Sequence, residues 1–80
     1  MSQYFLFYTR RKVTKAAAKR INAAIKAIDD SAEFVGPLSI PGNTTTGWIE
    51  RPNDGTNDLP EVSQRNQQMA EIARKELGID

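Results

Sequence analysis

Cysteine and histidine are both absent from the 80 residues. Their absence excludes a disulfide framework, thiolate and imidazole metal ligands, and any acid/base or nucleophilic chemistry run by those side chains. No apolar run approaches the roughly 20 residues of a membrane span. The first residues, MSQYFLFY, lack the basic n-region and small-residue cleavage site of a secretory leader. The expectation is a soluble, cytoplasmic protein with no membrane partner. A single domain of this length, without staples, has a core that is only just sufficient. Self-association is a common remedy, and a homo-oligomer is expected.

Net charge is also scarce, at +1, but its distribution is uneven. Seven basic residues and no acidic one fall between Arg10 and Lys26; seven acidic residues and only Arg51 fall between Asp29 and Glu61. Such segments can neutralise each other within a chain, between subunits or with a partner.

Gln3 to Tyr8, QYFLFY, is strongly strand-favouring. Alternation puts Tyr4, Leu6 and Tyr8 on one face and Phe5 and Phe7 on the other. Both faces are apolar, which predicts a strand covered on both sides, central in a sheet or at a subunit contact. A helix follows over Val13 to Ile28, with Val13, Ala17, Ile21, Ala24 and Ile28 as its apolar stripe. Asp29 and Asp30 begin the turn after it. EFVGPLSIPGN is interrupted by Pro37 and Pro41, so it reads as an edge or bent strand. TTTGWIERP is a third strand, joined to the second through the PGN turn as a hairpin. The last helix is expected to start with Asp58 as N-cap and to stop at Gly78. Its buried face is Val62, Met69, Ile72, Ala73 and Leu77. The fold class is α+β, in the order β-α-β-β-α, with a three-stranded sheet and two helices packed on one face.

The segment GWIERPNDGTND, Gly47 to Asp58, holds the only tryptophan of the chain. A tight turn running into a helix accounts for Asp54, Gly55 and Asp58. It accounts less well for Trp48, Arg51, Thr56 and Asn57. Trp48 can stack on a base, Arg51 can grip a phosphate in a fork, and Thr56 and Asn57 can read polar edges. That combination suits a nucleotide-like ligand. In the last helix, Asn66 falls inside the apolar stripe and must find partners, either as a tie to a loop or as a ligand contact. Arg65 and Arg74 flank it.

Lys15, Lys19 and Lys26 share one face of the first helix, and Arg10, Arg11 and Lys12 extend it. A solvated helix face is the plain reading; a track for nucleic-acid phosphates is the alternative. Stacking of single strands on the YFLFY rings requires those rings to be exposed, and burial is expected instead. Asp29/Asp30 and Asp54/Asp58 are carboxylate pairs, but a cation loop at Asp54, Asn57 and Asp58 does not match the spacing of a calcium loop. The serines have no histidine partner. No enzyme activity, catalytic residue, metal or cofactor is therefore expected.

The aromatic strand at the start, then the aromatic residue, an Asn in the loop and an Arg in the following helix resemble the phage sponges that defeat Thoeris defence. Those proteins bind cyclic ADP-ribose signals without cleaving them. The resemblance implies a phage-encoded protein of the host-cell cytoplasm, with Trp48 stacking, Asn57 on the polar edge, and Arg74 or Arg65 on phosphate. Arg10 or Arg11 would complete the pocket. The leading expectation is a non-enzymatic protein that sequesters a nucleotide-like anion. The alternatives are a nucleic-acid-binding module using Lys15, Lys19 and Lys26, and an inhibitor of a host defence complex acting by protein–protein contact.

Overall fold

The computed structural model describes residues 2–38 and 46–79. Strand β1 (Gln3–Thr9) leads to helix α1 (Lys15–Ile28), strands β2 (Glu33–Leu38) and β3 (Thr46–Pro52), and helix α2 (Pro60–Leu77). The sheet order is β1-β3-β2, with both neighbouring pairs antiparallel. α1 packs on β2, α2 packs on β1, and the helices pack on each other. The chain is thus a compact α+β unit, β-α-β-β-α, with both helices on one side of the sheet. Among the described residues, no helix is long and apolar enough to cross a membrane.

Local chemistry explains the element ends. Thr14 caps α1, its hydroxyl accepting from the Ala17 amide at 3.1 Å. α2 begins with Pro60, whose missing amide costs nothing in a first turn. The expected cap, Asp58, lies one residue too early. Leu59 occupies the cap position and makes no side-chain bond there. Glu61 near the start and Arg74 and Lys75 near the end suit the helix dipole. Gly78 stops the helix in the left-handed conformation, at φ 70°.

The core is a layer of Ile21 and Ile25 from α1, Ile49 from β3 and Met69 from α2, all sealed from solvent. Phe7, Val13, Phe34 and Ala73 complete it. Gly47 is required at its place because the Phe34 ring lies directly over it; an added Cβ would sit 2.7 Å from Phe34 Cζ. β2 carries Pro37, joined by a cis bond to Gly36, and an outer strand tolerates the missing amide donor. Pro41 and the PGN turn fall outside the described residues.

β1 departs from the sequence expectation in two ways. It is an edge strand and not a central one. It also carries a bulge: Phe5 pairs with Glu50 and Phe7 with Ile49, leaving Leu6 as the extra residue. The bulge resets the alternation. Tyr4, Phe7 and Thr9 pair with Arg51, Ile49 and Gly47 on the helix side. Phe5 and Tyr8 pair with Glu50 and Trp48 on the side that, among the described residues, no helix covers. Tyr4 and Tyr8 therefore do not share a face.

Candidate functional site

Two polar or aromatic clusters form, one on each side of the sheet. The helix side holds Arg51. Its Nε donates to Asp29 Oδ2 at 2.8 Å, and its Nη1 donates to Asn57 Oδ1 at 3.0 Å and Thr56 Oγ1 at 3.1 Å. Asp54 Oδ1 is at the limit of reach, at 3.5 Å. Side-chain exposure is 9% for Arg51 and 11% for Asp29, so this ion pair is largely desolvated. Burial works to raise the Asp29 carboxyl, but bonds from the Ser31 hydroxyl, the Arg51 guanidinium and the Ser31 amide outweigh it and hold the group at about 2. A bond from the Thr56 hydroxyl, with the Thr56 amide and the Arg51 charge, also holds Asp54 below the ordinary carboxylate range.

Asn57 extends the cluster. Its Nδ2 donates to the Pro52 carbonyl at 3.1 Å, and its Oδ1 accepts from Arg51 and from Asn66 Nδ2, the latter at 3.1 Å. These partners fix the orientation of both amides. Asn66 is 7% exposed, and its Oδ1 is the buried side-chain oxygen left without a partner among the described residues. Arg51, Thr56, Asn57 and Asn66 are thus brought together. The tie between helix and loop is the role of Asn66 that the contacts display. The Nε and Nη1 donors of Arg51 are already engaged by the protein's own acceptors.

The other side of the sheet holds Trp48. Residues 48 and 51 are an odd number apart on one strand, so their side chains point to opposite faces. Trp48 does not share a site with Arg51. It stands between Phe5 and Tyr8. The Tyr8 ring lies nearly parallel to the indole, with centroids 6.4 Å apart and 23° between planes. Phe5 meets it edge-on at 6.1 Å and 79°. The three rings line a shallow recess of about 340 Å³. Phe5 is 61% exposed and Tyr8 55%, against the expected burial of these rings. Glu50 fixes the indole by accepting from its Nε1 at 2.8 Å. The Tyr8 phenol is held below its ordinary range by a bond with the Thr46 hydroxyl and by the neighbouring Arg10.

The remaining expected residues distribute around these clusters. Arg10 and Arg11 leave the end of β1, beside Tyr8 and Thr9. Lys15 and Lys19 flank a groove with Phe34, Gly36 and Pro37, at the same end of the sheet. Lys26 does not join them. Its Nζ turns back to the Ala32 carbonyl at 3.0 Å and closes the turn after α1. Arg74 lies with its guanidinium carbon 5.9 Å from the Phe7 ring centroid, in the cleft between β1 and α2. Arg65 is exposed on α2, outside that cleft. Among the described residues, no three metal-ligating side chains gather.

Phe5 and Tyr8 were absent from the expected site. Their aromatic character was visible, but strict alternation separates them, and only the bulge at Leu6 brings both beside Trp48. No family model matches the chain, and neither does any curated protein or solved structure.

Proposed function

We propose that the protein is a non-catalytic binding protein that takes single-stranded nucleic acid on the uncovered face of its sheet. Bases stack on Phe5, Tyr8 and Trp48, and phosphates run toward Arg10, Arg11 and Lys12. The observation that carries this reading is the ring cluster beside the basic exit of β1, with Phe5 and Tyr8 exposed around the half-buried Trp48.

Magnitudes favour a strand over a free nucleotide. Stacking a base on an aromatic side chain contributes about 1–3 kcal/mol. A millimolar complex already needs about 4 kcal/mol, so one base on an open face is held weakly. Successive bases of one strand, with phosphate contacts added, reach useful affinity. Glu33 and Glu50 occupy neighbouring positions on the same face. They repel phosphate there and bias the backbone toward the basic end.

A second reading keeps the nucleotide-like anion as ligand, in the manner of the phage sponges. The recess lined by Phe5, Tyr8 and Trp48 favours it, with Arg10 or Arg11 at its basic end as the cation.

The sole indole provides the assay. Titration with a roughly ten-nucleotide single strand, within the usual span of such sites, should quench Trp48 fluorescence. Affinity should fall as salt rises, because phosphate contacts release counterions. In anisotropy with a labelled strand, Trp48→Ala should weaken binding by about 5- to 150-fold, the equivalent of one lost stack. No binding of any strand at low salt refutes the proposal. Binding of cyclic ADP-ribose or a cyclic dinucleotide without strand binding selects the second reading.

A further inference from the structure

We infer that a second copy of this chain pairs with the free edge of β1, joining two three-stranded sheets into one of six strands. The motive lies in the strand itself. Gln3–Thr9 contains no charged residue and no proline. Those are the usual devices that keep a free edge from pairing. Tyr4, Phe5 and Tyr8, three of the large exposed hydrophobic residues, all belong to it. Its composition is that of a strand with neighbours on both sides, yet among the described residues it has a neighbour on one side only.

The bulge makes one register self-complementary. In an antiparallel pair related by a two-fold axis normal to the sheet, opposed residues must lie on the same side of the sheet. Because Leu6 is inserted, it and Phe7 both pack toward the core, Phe5 and Tyr8 both face away, and Tyr4 and Thr9 both face the helices. A dyad between Leu6 and Phe7 therefore sets Phe5 against Tyr8 of the second copy, Leu6 against Phe7, and Tyr4 against Thr9. Every pair matches in side. Centring the dyad on Leu6 instead opposes Phe5 to Phe7 and fails. Clefts of about 380 Å³ and 470 Å³ separate β1 from α2 and the residues after it, beside Tyr4–Leu6 and Phe5–Thr9 respectively.

Charge supports the same arrangement. It sets Arg10 and Arg11 of the second copy opposite Gln3 and Ser2. That end of the strand is bonded to Asn53 and adjoins Asp54, whose carboxylate is 43% exposed. The basic exit of each strand thus meets the acidic end of the other. On the uncovered face, the two ring clusters become a continuous band across the dyad.

Analytical ultracentrifugation of the unmodified protein should give a species of twice the 8.9 kDa chain mass. Phe5→Lys combined with Tyr8→Lys places like charges opposite each other and should give a monomer with an unchanged circular-dichroism spectrum. Because the chain lacks cysteine, mixing Phe5→Cys with Tyr8→Cys under mild oxidation should yield the mixed disulfide in excess over either self-disulfide. A monomer at every soluble concentration, or an oligomer indifferent to the lysine pair, overturns the inference. Trp48→Ala separates the two proposals: it should weaken strand binding by the equivalent of one stack and leave the dimer intact. A dimer that binds no strand leaves the pairing standing, and a monomer that binds strands refutes the pairing alone.

Discussion

Four acceptors from the turn after α1 and the loop after β3 converge on the Arg51 guanidinium. Removing one member of a buried ion pair is costly because the other charge stays desolvated. Arg51→Met should therefore lose about 3–5 kcal/mol in urea denaturation, a large share of the stability of a small domain. Asp29 gives this cluster a pH signature. Its folded carboxyl titrates at about 2 instead of 3.8, so its contribution is present at neutral pH and above about pH 4. It is lost as pH falls from about 4 through 2, and amounts to about 2 kcal/mol at most. Urea midpoints between pH 5 and pH 2 should drop more steeply for the unmodified protein than for Asp29→Asn. Equal slopes would remove Asp29 as the cause. The polar partners of Arg51 are legible as residue types in the sequence, but joining Trp48 to them is not. Both lie near one loop in sequence, while the two-residue period of a strand sends them to opposite faces.

Among the elements, β3 carries the tightest constraint. Gly47 lies under the Phe34 ring, which belongs to the core and cannot swing away freely. Gly47→Ala should destabilise by about 1–3 kcal/mol, the usual cost of overpacking. Combining it with Phe34→Leu should recover part of that loss in a thermal melt; a simple sum of two losses would show the clash lies elsewhere. The number and order of elements followed from periodicity, and so did the β2–β3 pairing and the Gly78 stop. The bulge in β1 did not, because Leu6 has the composition of any strand residue and the insertion is decided by what Phe7 and Ile49 can pack. The start of α2 is likewise displaced. Pro60 and a turn bonded through Thr56 and Leu59 decide it, and Asp58 is left exposed.

Over the whole molecule, the uneven charge of the sequence becomes spatial. Lys15 and Lys19 gather beside Gly36 and Pro37, at the end where β1 delivers Arg10 and Arg11. Asp29 and Asp54 lie at the other end, around Arg51, where β1 begins. A fold with few covalent or metallic restraints then depends on one cation for coherence across three segments. That dependence has a dynamic consequence. The turn at Ser31 and the loop at Thr56 are far apart in the chain, but each folds around a carboxylate that Arg51 also holds. They should open as a single cooperative unit, below the threshold of global unfolding. Native-state deuterium uptake at the Ser31 and Thr56 amides should share one opening free energy, and Arg51→Met should lower both together. Were the two to respond separately, the guanidinium would be a bystander to motions that each turn governs alone.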